Sequence, residues 1–203
     1  ARAAHTMSSP GRGSYPASRL AGETAYLCRQ EAAELLGVPQ PENVVITGSA
    51  THGLNLAIRS LLGPGDRVVI SGYEHNAVTR PLAALGARTT VAAGALFQPE
   101  AVLEAFDKAV TPETDAVICC HVSNVFGFVQ PVEEIASLCR ERGVPFIIDA
   151  SQSAGALTLD MDALGAAFIA MPGHKGLLGP QGTGILLCRD TGMPLLSGGT
   201  GGD

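Results

Sequence analysis

Val144-Pro145-Phe146-Ile147-Ile148-Asp149 decides the fold. A short apolar run without polar alternation fits a strand buried on both faces, as parallel strands under helices are. It closes on a carboxylate at its C-terminal end, the edge where open α/β sheets bind ligands. The helical pattern Val132–Arg142 precedes it, and the apolar runs Ala167–Met171 and Gly184–Cys188 follow. Working back towards the N-terminus, strands are predicted at Ala116–His121, Arg88–Val91, Arg67–Ser71 and Asn43–Thr47. Helices are predicted between them at Pro99–Ala109, Val78–Leu85 and Thr51–Leu62. A helix over Ala21–Leu36 stops at Gly37, and a short helical turn falls near Met161–Leu164. Strands and helices alternating at these lengths predict an α/β fold of three layers, a mostly parallel sheet with helices on both faces. The last two runs are close enough to be antiparallel neighbours.

The link between those two runs is Gly173-His174-Lys175-Gly176-Leu177-Leu178-Gly179-Pro180-Gln181-Gly182-Thr183-Gly184. A solvated loop position is the usual fate of lysine, but desolvation between buried strands would favour the neutral amine. A neutral amine attacks carbonyl carbon to give an imine. Taken alone, Lys175 reads equally as a solvated loop lysine, and Asp149 as a metal ligand, a ribose contact or a helix cap. As a pair, an imine-forming lysine and a carboxylate that holds a pyridinium nitrogen are the signature of pyridoxal phosphate enzymes.

Five motifs carry a more specific likeness: Thr47-Gly48-Ser49-Ala50-Thr51, Glu74-His75-Asn76, His121-Val122-Ser123-Asn124-Val125, Asp149-Ala150-Ser151-Gln152 with Gly173-His174-Lys175, and Gly198-Gly199-Thr200-Gly201. In this order the chain resembles the class V aminotransferases, fold type I pyridoxal phosphate enzymes, and among them the cysteine desulfurases. Ser9-Pro10-Gly11-Arg12-Gly13-Ser14 resembles a loosely characterised desulfurase-like branch. The resemblance implies pyridoxal 5'-phosphate as cofactor, with Lys175 as the imine lysine, Asp149 at the ring nitrogen and His75 stacked on the ring. It places Gln152 at the ring's phenolic oxygen and Asn124 near that oxygen and the substrate; Asn124 also reads as a plain turn residue. Ala50, Thr51 and His174 match phosphate contacts, on a strand-to-helix turn whose amides suit an anion. Ser49 or Thr51 also serves as an ordinary helix cap there. Thr200 matches a residue that reaches the phosphate of a neighbouring subunit, which implies a homodimer with shared sites.

Three positions depart from the family pattern. Pro172 stands where Ser or Thr is usual, His52 replaces a Glu, and Phe126 with Phe128 makes the Asn124 turn more apolar. The resemblance implies removal of sulfur or selenium from a cysteine-type amino acid and a sulfur-acceptor protein as partner. The acceptor cysteine and the arginine that grips the substrate carboxylate belong to a later domain, so none of the five cysteines here is expected to take the sulfur. Residues 1–17 read as an irregular arm, 18–190 as the cofactor-binding large domain, and 191–203 as the start of an inter-domain and dimer-contact segment. The small C-terminal domain is expected to be missing, making the chain a fragment.

Composition narrows the alternatives. A net charge of -6 argues against nucleic acid or an anionic membrane as the main partner. No apolar stretch reaches the length of a membrane span and no signal segment opens the chain, so cytoplasm is the expected compartment. The cysteines show no C-x-x-C spacing, and no metal site is expected; Cys119-Cys120-His121 reads as buried core. Another class V activity (aminotransferase, lyase or epimerase) is the alternative within the fold, followed by an inert cofactor-binding fragment. A non-catalytic nucleotide module would use Gly48–Gly53 or Gly63-Pro64-Gly65-Asp66, but neither forms a recognised phosphate loop.

Overall fold

A computed structural model describes residues 6–11 and 13–190. Thr200, its glycine-rich motif, Arg12 and the ends of the chain lie outside the described residues. Helix α1 (Pro16–Leu35) leads through a 3-10 turn, Pro41–Asn43, into strand β1 (Val44–Thr47). There follow α2 (Ala50–Leu61), β2 (Arg67–Ser71), α3 (Asn76–Leu85), β3 (Arg88–Ala92), α4 (Pro99–Ala109) and β4 (Ala116–Cys120). The chain continues through α5 (Val132–Arg142), β5 (Phe146–Asp149), the four-residue α6 (Met161–Leu164), β6 (Phe168–Pro172) and β7 (Gly184–Cys188).

The seven strands form one sheet in the order β1-β7-β6-β5-β4-β2-β3. All neighbours are parallel except β7, which runs against both β6 and β1. Successive strand residues face opposite layers, and the core divides accordingly. Val117, Ile148, Ile169 and Leu187 pack with Phe106 of α4 and Ile135 of α5, and the end of α1 joins them through Ala32 and Ala33. Ile118, Ile147, Phe168 and Leu186 pack on the other face with Leu54 and Ile58 of α2 and Val78 and Leu82 of α3. Ile147 and Ile148 are both fully buried, as a central parallel strand requires.

Helix α5 shows how local sequence sets an element. Val132, Ile135, Ala136 and Cys139 recur at helical spacing and are the residues it buries. Glu133 and Glu134 in its first turn and Arg140 and Arg142 in its last suit the helix dipole.

Two helix starts differ from the sequence expectation. Helix α1 begins at Pro16 rather than Ala21, because a proline at the first helical position gives up no hydrogen bond. The helix thereby takes in residues 16 and 17, the last two assigned to the irregular arm. Helix α3 begins at Asn76 rather than Val78, because His75 caps it: its Nδ1 accepts from the Ala77 amide at 3.1 Å. Histidine is not an obvious N-cap residue, so the apolar pattern alone placed the start late. Among the described residues no helix is long and apolar enough to cross a membrane.

Candidate functional site

Because β7 alone is reversed, the C-terminal ends of the other strands share one edge, and the loops leaving that edge build a cleft. Ala50, Thr51, His75, Asn124, Asp149, Gln152, His174 and Lys175 all line it. Of the residues named from sequence only Thr200 is not placed there, since it lies outside the described residues.

Asp149 sits buried at the cleft's floor. Its Oδ1 accepts from the Ser151 amide at 2.9 Å. Burial pushes its carboxyl up, while the bond from Ser151 and the charges of His75 and Lys175 pull it back. The carboxyl shares the cleft with the His75 ring and the Lys175 amine. Lys175 itself is exposed on the cleft wall. Of the readings of Lys175 taken alone, its exposure fits the solvated loop lysine.

The loop after β5 and the lysine turn touch through two glycines. A Cβ on Gly155 would lie 2.4 Å from the Gly176 carbonyl, and one on Gly176 would lie 2.3 Å from the Ala154 oxygen. Gly155 also has a φ of +80°, a conformation costly for other residues. This contact holds the Lys175 turn against the segment that carries Asp149 and Gln152.

At the opposite wall, α2 points its first turn into the cleft. Ser49 Oγ accepts from the His52 amide at 3.1 Å, and the Gly48 amide reaches His52 Nδ1 at 3.4 Å. His52 thus takes over the back-reaching part that glutamate plays in a capping box. The Ala50 and Thr51 amides open the same first turn, where a helix N-terminus favours an anion. Pro172 ends β6 and is buried beside the cleft, offering no hydroxyl.

Sequence reasoning missed Tyr73, Cys120 and Ser151, which also line the cleft. Cys120 is buried, and its thiol hydrogen-bonds the Tyr73 carbonyl at 3.2 Å. Burial pushes that thiol up, and the neighbouring carboxyl groups of Glu74 and Asp149 add to the effect. Tyr73 packs edge-on against Phe126 at 6.2 Å and Phe128 at 5.4 Å between ring centres. Phe128 is thereby core, whereas Phe126 is half-exposed at the rim. The signal for Tyr73 was its place between β2 and His75. Cys119 is buried in the core as expected. Among the described residues no group of His, Cys, Asp and Glu is placed to hold a metal ion.

Comparison with known proteins fits this arrangement. A family model for aminotransferase class V matches residues 3–202. The chain belongs to the class V aminotransferase family. A probable cysteine desulfurase of Methanothermobacter thermautotrophicus is 33% identical over 185 residues, covering 88% of this chain and 45% of that protein. Cysteine desulfurase IscS of Serratia proteamaculans is 34% identical over 193 residues, covering 91% of this chain and 46% of its own length. The apo structure of a cysteine desulfurase from Thermococcus onnurineus superposes with a TM-score of 0.80 at 29% identity, over 90% of this chain and 47% of the other. This class V chain therefore spans about half the length of the relatives it matches.

Proposed function

We propose that the chain is the cofactor-binding half of a cysteine desulfurase-like enzyme, built to hold pyridoxal 5'-phosphate in the cleft. The observation that carries this reading is the convergence on one sheet edge of a buried Asp149, the Lys175 amine and an open helix N-terminus. The donor set fits the cofactor piece by piece. The amides of Ala50 and Thr51 and the His174 ring would hold its phosphate, and Lys175 would take its aldehyde. Asp149 would keep a proton on its ring nitrogen, His75 would lie over the ring, and Gln152 and Asn124 would meet its ring oxygen. When bound, the cofactor supplies an electron-withdrawing ring that stabilises a carbanion next to the amino-acid nitrogen.

What this chain contributes to such chemistry is position and proton control. Lys175 Nζ is the group placed to move the substrate proton, and Asp149 keeps positive charge at the far side of the ring. The substrate class is a cysteine-type amino acid that gives up sulfur or selenium, as the names of the matched relatives suggest. Four of the five cysteines are buried and the exposed one, Cys28, lies in α1, so the sulfur-accepting thiol is assigned to the half not present here. A homodimer with Thr200 reaching into the partner's site, a sulfur-acceptor protein and a cytoplasmic setting complete the proposal.

The test is direct. Incubation with pyridoxal phosphate, borohydride reduction and peptide mapping should label Lys175, with no label in Lys175→Ala. A folded chain that takes no label, or takes it elsewhere, overturns the reading.

A further inference from the structure

The turn between β2 and α3 holds a carboxyl group to which the proposed chemistry gives no task. Glu74 Oε1 accepts from the Ser71 hydroxyl and from the Cys120 amide, the latter at 2.7 Å. Its other oxygen, Oε2, is shut off from solvent and has no hydrogen bond. Gln130 closes the cluster, its Nε2 donating to the Cys120 carbonyl at 2.6 Å and to Ser71 Oγ at 3.2 Å. The titratable groups facing Glu74 are Asp149 from β5 and Cys119 and Cys120 from β4. None brings positive charge, and no ion pair to Glu74 occurs among the described residues.

Charge on this group is hard to sustain. A buried carboxylate with one bare oxygen and no cation loses its hydration without replacement. A proton on Oε2 leaves only the smaller cost of an unpaired hydroxyl, and it removes a second negative charge from beside Asp149. Burial accordingly pushes the carboxyl up to about 8, against the opposing pull of the Ser71 and Cys120 bonds.

The cluster also sits where it governs the cleft. Glu74 directly precedes His75, and Gln130 ends the loop that carries Asn124, its amide donating to the His121 carbonyl at 2.8 Å. Glu74 therefore ties the end of β2 to the end of β4 at the root of two cleft-lining residues. We propose that Glu74 stays an uncharged carboxylic acid at neutral pH and is a positioning residue for His75 and the Asn124 loop, leaving the cleft's negative charge to Asp149. The purpose of that positioning rests on the cofactor reading above, whereas the charge state does not.

The experiment has two arms, both on the full chain. In the first, glutamate carboxyls carrying carbon-13 are titrated by NMR without cofactor. One glutamate should remain protonated at neutral pH and titrate near pH 8, and its signal should be missing from Glu74→Gln. If every glutamate has lost its proton by about pH 6, near the ordinary range, the charge assignment is overturned, and no variant is needed to see it. In the second arm, pyridoxal phosphate is titrated into each protein and its visible band recorded. Glu74→Gln, a neutral isostere, should bind within about twofold of wild type, and Glu74→Ala about tenfold more weakly. The ratio of wild-type to Gln-variant affinity should shift across pH 8. Equal losses in the two variants, or none in Glu74→Ala, overturn the positioning. Should the alanine variant fail to fold, a ratio that does not change with pH overturns it instead. A chain that binds no cofactor at all sinks the functional reading but leaves the NMR result standing.

Discussion

Two carboxyl groups at the ends of β5 and β2, the strands on either side of β4, are treated in opposite ways. At the end of β5, Asp149 is buried but meets an amide at 2.9 Å and shares its cleft with the Lys175 amine. After β2, Glu74 meets a hydroxyl and an amide but no cation, and one of its oxygens has no partner. Burial alone pushes both up; the neighbours decide how far. The lesson is that a sheet edge does not by itself set the charge of its acids. The loop facing each acid does, and here the lysine turn faces only one of them.

The strongest way to break the contrast is to take away that turn's cation. Lys175→Ala should abolish reductive attachment of pyridoxal phosphate altogether, as mass spectrometry of the treated chain would show. Next in size is Asp149→Asn, which keeps the shape and deletes the charge. A hydrogen bond to a charged group contributes roughly 1.5–3 kcal/mol, so cofactor affinity should drop by about ten- to a hundredfold in a spectral titration. Third is Gly176→Ala, whose added carbon would meet the Ala154 oxygen at 2.3 Å. Forcing the two loops apart should cost about 1–3 kcal/mol, read from urea unfolding with the slope unchanged.

The pH dependence sharpens the contrast from the other side. Glu74 binds its proton more tightly folded, at about 8, than the ordinary 4.5 of the unfolded chain. Its contribution to stability is therefore complete below pH 4.5 and is lost as the pH rises through about 8. Unfolding curves at a series of pH values should show that decline in the wild type and a shallower one in Glu74→Gln. The smallest effect is expected at the rim. Phe126 is half-exposed, so Phe126→Ser should alter stability by no more than about 0.5 kcal/mol while changing the cleft's preference among amino acids.

Much of this was readable from sequence. Phe146 to Asp149 announced a buried strand by lacking alternation, and α5 by its spacing, because burial on two faces and on one stripe leave different patterns. The residues that line the cleft were legible through motif order, since strand ends and the loops after them keep their succession in any fold of this kind. What stayed hidden depended on contacts distant in sequence. Nothing in Cys119-Cys120 says that the second thiol reaches the Tyr73 carbonyl. Nothing local to Glu74 says that the Cys120 amide, many residues on, will meet it.

The reversed strand has a consequence for how the protein comes into being. Among the described residues, strand β1 is joined to the sheet solely by β7, with Val44 opposite Leu187 and Thr47 opposite Gly184. During synthesis the early strand must wait, unpaired, until almost the whole described chain has emerged. Helix α2 meets Val78 and Leu82 of α3 earlier, but Phe168 and Leu186 reach Leu54 and Ile58 only then. Long-range pairing of this kind is slow to form. The pairing that fixes β1, and with it the strand leading into the anion-favouring helix end, therefore follows the making of the lysine turn.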